Sequence, residues 1–431
     1  MAYKQVRLGE YFKFEKGLGY KGEFLAEESD VALIGMDSHE EGGGYKEGSE
    51  KFYTGPFKPE HIAEVGDVIF AGTEQGFGLL ASPLIVPESD KFTTYLFSGD
   101  VLRAIPLKPD EFSLEYLYNL YRVERFRKKT AYGDTGTTVR RISHDNFAEQ
   151  IIPLPDLPTQ LAINEVISLM DQQIANNKAL SKSLEMLAQA TFKSWFIDFD
   201  PVQAKSKGEK PFGMDDATAA LFPDSMEESE VGFIPKGWIA TQLNSILFLH
   251  KATVKSGVKT ESVPYVPVDQ ISSKDIFLKN SAPGEYAKTS LVSFEKNDIL
   301  FGAMRPYFHK VTLAPFDGTT RTTTFVLRPK ELDYLAFGLF TVFQEKAIAY
   351  ATNHAQGSTI PYAVWNNSFE NFPTVRPTIE IASAFDRLVL PMMEYGYSLL
   401  AENRKLVQIR DAILPRFMSG ELQIPEGMLA L

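Results

Sequence analysis

The sequence predicts an α+β protein: two globular mixed α/β domains separated by an antiparallel pair of long coiled-coil helices, with a pseudo-two-fold internal repeat. Three observations predict it. Two long stretches share one hydrophobic register. Counting alternately three and four residues gives Ile163, Val166, Met170, Gln173, Asn177, Leu180, Leu184, Leu187 and Thr191 in one, and Phe385, Leu388, Met392, Tyr395, Leu399, Glu402, Leu406, Ile409 and Ile413 in the other. That alternation is the seam of a helix packed lengthwise on another helix. Each stretch also follows a segment of short apolar or alternating runs bounded by Gly, Asp and Pro, which are strand and turn signals. Finally, those runs recur in the same order. Val31–Asp37 parallels Val263–Asp269, and Gly66–Phe70 parallels Asn297–Phe301. Gly136–Val139 parallels Gly357–Ile360, and Ile152–Pro155 parallels Thr374–Pro377.

The elements follow in chain order. Residues 1–153 form the first globular domain, and 154–200 its long helix, running from about Thr159 to Phe196. Residues 201–232 read as a linker, charged and without apolar periodicity. Residues 233–374 form the second domain, and 375–431 the last helix and a tail, with Pro391 expected to kink the helix or delay its start. A helix of about 33 residues spans roughly 50 Å, too long for one domain, so each rod is expected to cover the other's apolar stripe. Antiparallel packing would hold the two domains at opposite ends. In that register Glu402 falls near Gln173 and Asn177, which predicts a polar layer.

Length and composition bound the function. The chain has 431 residues, 44% of them hydrophobic, and no cysteine, which excludes disulfide and thiolate chemistry and fits a reducing cytoplasm. The N-terminus lacks the apolar core of a signal peptide, and no apolar run approaches the roughly 20 residues of a membrane span. The net charge of −12 weighs against nucleic acid, although an acidic surface can carry a local basic face. The search for an active site is negative. No two of the six histidines have a metal-ligand spacing, and no phosphate-binding Gly-x-x-x-x-Gly-Lys motif occurs. Phe70-Ala71-Gly72-Thr73, with Gly76 and Gly78, lacks the strand–turn–helix context of a nucleotide loop and reads as a structural or DNA-facing loop. No catalytic or metal-binding residue is assigned, and no cofactor is expected on this chain.

Side chains suited to a polyanion do cluster. Arg122, Arg125, Lys128 and Lys129 crowd one helix end, and Thr137, Arg140 and Arg141 follow in a loop. Thr73 and Gln75 lie after the Gly66–Phe70 run. In the second half the candidates are Arg305, Tyr307, His309, Lys310, Arg321, Thr322 and Ser358. Guanidinium and amide groups match base edges, and hydroxyls match phosphates. The plain alternative for each of them is a solvated surface.

Ile152-Pro153-Leu154-Pro155-Asp156-Leu157-Pro158-Thr159-Gln160 leads into a heptad helix that ends in Phe192-Lys193-Ser194-Trp195-Phe196-Ile197-Asp198-Phe199-Asp200-Pro201-Val202. This resembles the central conserved region of type I restriction-modification specificity subunits. Ile234-Pro235-Lys236-Gly237-Trp238 resembles the entry to their second target recognition domain, and Arg410–Leu422, with its Ser419-Gly420-Glu421, their C-terminal signature. One departure is that Pro377-Thr378-Ile379-Glu380 lacks the glutamine that Gln160 supplies in the first half. The resemblance implies a non-catalytic DNA-specificity subunit in the cytoplasm. Each recognition domain would read one half of a bipartite, asymmetric site in double-stranded DNA. The helices would set the spacing and dock two methyltransferase subunits that bind S-adenosylmethionine, and motor-nuclease subunits would complete the restriction enzyme. The competing readings are a stand-alone methyltransferase-nuclease and a two-lobed scaffold with no role in DNA binding.

Overall fold

The structure is a computed structural model and describes residues 3–73, 78–131, 141–142 and 144–425. The chain divides into two compact units, one made of Met1–Ile174 with Arg404–Leu431 and the other of Ala175–Asn403.

In the first unit, Phe12–Lys16, Val101–Pro106, Val68–Ala71 and Pro83–Ile85 form a four-stranded sheet in that order. The second unit repeats the order with Leu247–His250, Thr324–Pro329, Ile299–Gly302 and Val311–Leu313. In each, the opening strand pairs antiparallel with the strand that leads into a long helix: Lys4–Arg7 with Ile151–Leu154, and Ile239–Gln242 with Pro373–Arg376. Helices Leu114–Arg122 and Glu124–Ala131 correspond to Leu335–Phe343 and Glu345–Asn353. The duplication reaches single side chains. The turns before Val68 and Ile299 each place one residue in the left-handed region, Gly66 at φ 92° and Asn297 at φ 72°. The following aspartate closes each turn: Asp67 accepts from the Glu64 amide at 3.0 Å, and Asp298 from the Glu295 amide at 2.7 Å. An arginine on the neighbouring strand meets each carboxylate, Arg103 at 3.5 Å and Arg328 at 2.6 and 2.9 Å. The units differ in their second sheet, which has five strands in the first unit and three in the other.

The long helices run Leu157–Phe196 and Ile379–Ser419. Pro391 neither stops the second helix nor delays its start, and it lies exposed. Within each unit the helices pair antiparallel. In the first, Ile163 and Ile167 share a core with Leu414, Phe417 and Met418. In the second, Phe192 and Trp195 meet Phe385 with ring centroids 5.9 and 5.7 Å apart.

The seam differs from the expected one by one residue. Of the predicted positions, Ile163, Phe385 and Leu399 are buried, while Val166, Met170, Leu184, Met392, Leu406 and Ile413 are half-buried. Leu180, Leu187, Leu388 and Ile409 are 40%, 51%, 40% and 49% exposed. The buried line keeps Asn177 from the expected register but otherwise passes through Ile167, Ile174, Ser181, Glu185, Ala188 and Phe192, and through Val389, Met393, Gly396 and Asn403. The shift has a packing cause, because these faces cover their own domains as well as each other. Glu185, fully buried, accepts a hydrogen bond from the Ile276 amide at 3.1 Å. Gly396 admits the Phe277 ring, where a Cβ would lie 2.3 Å from Cζ. Small and polar residues therefore sit inside while leucines face out. The polar layer forms at Asn177, but its partner is Asn403 (Nδ2 to Oδ1, 3.0 Å), and Glu402 is exposed.

The stretch expected to be a linker is folded. It carries helices Asp200–Ser206 and Asp216–Leu221 and the hairpin Met226–Ser229/Gly232–Pro235. Two apolar anchors hold it: Val202 is buried, and Phe222 packs edge-on to Trp195 at 5.2 Å. Two isolated anchors leave no periodic signal in a sequence.

Candidate nucleic-acid interface

In each unit the residues just after the strand Val68–Ala71 or Ile299–Gly302 pair with a segment that follows the Gly136-Thr137 or Gly357-Ser358 sequence. In the second unit Met304 and Tyr362 form an antiparallel bridge, flanked by Arg305 N–H to Pro361 O and Ala363 N–H to Ala303 O, both 2.8 Å. In the first, Thr73 bridges Arg141 in the same way, with Ile142 N–H to Gly72 O at 2.9 Å. Gln75, Thr137 and Arg140 lie outside the described residues.

The second unit shows this region in full. Gln356 and Tyr362 exchange two backbone hydrogen bonds of 2.8 Å and close a hairpin whose tip includes the exposed Ser358. Gly357 has φ 97°, and a Cβ there would lie 2.8 Å from Ile360 O, so both backbone angle and space require glycine. Arg305 and His309 flank the turn Pro306–Phe308 in the left-handed region, at φ 51° and 52°. The turn presents Tyr307 and Phe308 to solvent. Such strain in non-glycine residues costs roughly 1–2 kcal/mol each and concentrates at functional loops.

Several predicted contacts are structural instead. His309 is buried; its Nε2 lies 2.8 Å from Phe343 O and its Nδ1 3.5 Å from Glu345. Burial pushes its pKa below the ordinary histidine value, partly offset by Glu345, so it is an internal anchor of the turn. The Lys310 ammonium, half-buried, donates to Val268 O at 2.8 Å, and desolvation lowers its pKa. Arg122 is enclosed, and its guanidinium forks onto Asp171 at 2.5 and 3.0 Å. Arg410 meets the same carboxylate at 2.9 Å. Burial alone would raise the Asp171 pKa, but the two guanidinium groups outweigh it and hold the carboxyl below its usual range. Thr73 is buried. The exposed side chains are Arg125, which donates to Pro415 O at 3.3 Å, Lys128, which pairs at the surface with Glu124 at 2.8 Å, Lys129, Arg141, Tyr307, Arg321, Thr322 and Ser358.

A cleft of about 430 Å³ in the second unit gathers residues that the sequence reading left unassigned. Asp269, Gln270, Tyr286 and Tyr362 line it with Arg321. Arg321 ends the strand Gly318–Arg321, which is fixed against Leu291–Phe294 and, through Val266 N–H to Thr319 O at 2.8 Å, against the Tyr265 segment. The only sequence signal for Asp269 was its match to Asp37 in the repeat; Tyr286 and Tyr362 belong to loops with no periodic pattern. Among the described residues, no group of three or more His, Asp or Glu is placed to hold a metal, and no helix is long and apolar enough to cross a membrane.

Residues 3–186 match the family described as "Type I restriction modification DNA specificity domain". The chain is 27% identical over 333 residues to the type I restriction enzyme MjaIX specificity subunit of Methanocaldococcus jannaschii, covering 72% of this chain and 70% of the relative. It is 24% identical over 331 residues to the HindI specificity subunit of Haemophilus influenzae, covering 66% of this chain and 72% of that one. Its fold is similar to the crystal structure of a type I restriction-modification system S subunit from M. genitalium, with a TM-score of 0.61, 14% identity, and coverage of 97% and 96% of the two chains.

Proposed function

We propose, from the chain's similarity to type I restriction-modification specificity subunits, that it directs such a complex to DNA and that each unit reads one half of a bipartite, asymmetric site. The observation that carries this reading is the duplicated loop-root bridge with dissimilar side chains. Thr73 and Arg141 occupy it in one unit, Met304 and Tyr362 in the other. The same scaffold thus presents the exposed Arg141 guanidinium in one half, beside the buried Thr73, and a thioether and a phenol in the other. Two readers of one build and different chemistry suit two different half-sites.

In this proposal the long helices act as the spacer between half-sites and dock two methyltransferase subunits. Leu161, Leu169, Leu180, Met186 and Leu187 supply apolar surface on the first helix for that contact. S-adenosylmethionine binds to those partners, motor-nuclease subunits complete the enzyme, and this chain, cytoplasmic, contributes recognition without catalysis. The acidic net charge leaves much of the phosphate neutralisation to the partners. The family resemblance favours this reading over a scaffold with no nucleic-acid role. Long-read sequencing of methylated DNA from cells co-expressing the chain with its methyltransferase subunit tests it. The expected result is one bipartite motif with unlike halves; methylation without sequence preference would overturn it.

A further inference from the structure

We propose that the cleft lined by Arg321 and Asp269 reads a G·C base pair in the second unit's half-site; this rests on the DNA-specificity reading above. Arg321 and Asp269 both border the same cavity of about 430 Å³. They come from separate segments: Arg321 from the end of the strand Gly318–Arg321, Asp269 from the turn Val268–Gln270. Tyr265 forms part of the wall of the same cavity. No ion pair within 4 Å joins them, although the two charges share one small space. The cleft therefore holds a forked donor and a carboxylate acceptor apart, each open to a ligand that carries the complementary groups.

The major-groove edge of a G·C pair carries that complement. Guanine offers two acceptors, O6 and N7, which match a guanidinium fork, and cytosine offers the N4 amino donor, which matches a carboxylate. An A·T pair in the same orientation would set the guanidinium against the adenine amino group and the carboxylate against thymine O4, and in the reversed orientation it would offer the guanidinium fork one acceptor, O4, where guanine offers two. The supports are rigid. Thr320 Oγ1 donates to Val266 O at 2.6 Å just before Arg321, and Lys310 Nζ fixes Val268 O at 2.8 Å just before Asp269. Gln270 Nε2 approaches the Asp269 carboxylate at 3.4 Å, orienting it. Tyr286, from the turn Gly284–Tyr286, and Tyr362, from the hairpin root, complete the walls.

The test uses the full chain with its methyltransferase partner and a randomised double-stranded DNA library, read out by methylation. Arg321→Ala, Arg321→Lys and Asp269→Asn are compared with the unaltered chain, each checked for an unchanged melting transition. The expected result is that one G·C position in one half-site becomes degenerate in all three, with discrimination falling about tenfold or more, while the other half-site is unchanged. An unaltered motif in folded variants overturns the inference. So does a uniform loss across all sequences, which would make Arg321 a phosphate contact. If the unaltered chain itself directs methylation to no bipartite site, the proposed function falls first and this inference with it.

Discussion

Asp386 and Asn164 lie at matched places in the repeat, each nine residues after the proline that precedes its long helix. Both turn inward and serve the start of the neighbouring domain helix. Asn164 Nδ2 donates to Ser113 Oγ at 3.1 Å, and Asp386 accepts from the Ala336 amide at 2.8 Å. Burial pushes the Asp386 pKa up to about 7, against the pull of the Leu335 and Ala336 amides. Because the folded value lies above the unfolded one, the stability this group contributes is present below about pH 4 and is lost as pH rises towards 7. Asp386→Asn keeps an oxygen for the amide and removes the charge. Chemical denaturation at pH 8 is expected to show the variant more stable by roughly 1–3 kcal/mol, with the advantage vanishing near pH 4. Equal stability at both pH values contradicts this. Arg122 is the opposite case, a buried cation whose partner must remain. Arg122→Met strands Asp171 with one guanidinium and is expected to cost about 2–4 kcal/mol in denaturant melts. The sequence showed the charges of Arg122, His309 and Lys310 but not their burial. A basic residue at a helix end looks the same whether it faces phosphate or a carboxylate from a distant segment.

At the scale of the element, the strands, the two long helices and their repeat were legible because period and turn chemistry are local properties. The helix register was not. A heptad count selects the greasiest stripe, whereas the buried line here is chosen by what packs on it. Gly396 shows the difference. Helix propensity alone makes Gly→Ala in a helix interior favourable by about 1 kcal/mol. The Phe277 ring occupies the space a methyl group would need, so Gly396→Ala is expected to destabilise by about 1–3 kcal/mol despite its better propensity. Stabilisation in a thermal melt would show that the ring moves aside at no cost. The folded stretch 201–232 was missed for a related reason, since Val202 and Phe222 hold it by tertiary contact alone.

At the scale of the molecule, the proposed spacer role makes a quantitative prediction. Removing one turn from both long helices shortens each by about 5.4 Å. The gap between half-sites, read from the methylated motif, should change by one or two base pairs at about 3.4 Å each, with both half-site sequences retained. An unchanged gap removes the ruler from the proposal. The candidate reading surface was legible only in part. The duplicated loops stood out as repeated Gly-Ser/Thr patterns, but Asp269, Tyr286 and Tyr362 enter through loop geometry, for which a sequence carries no period.

The outward leucines have a cellular consequence. Leu161, Leu169, Leu180 and Leu187 are wet as long as this chain is alone. A polypeptide made in excess of whatever covers them shows chaperones and proteases the surface they sample in unfolded chains. In the proposed complex its abundance follows the supply of the methyltransferase subunit, and a pulse-chase of the chain expressed alone is expected to show faster turnover than in co-expressing cells.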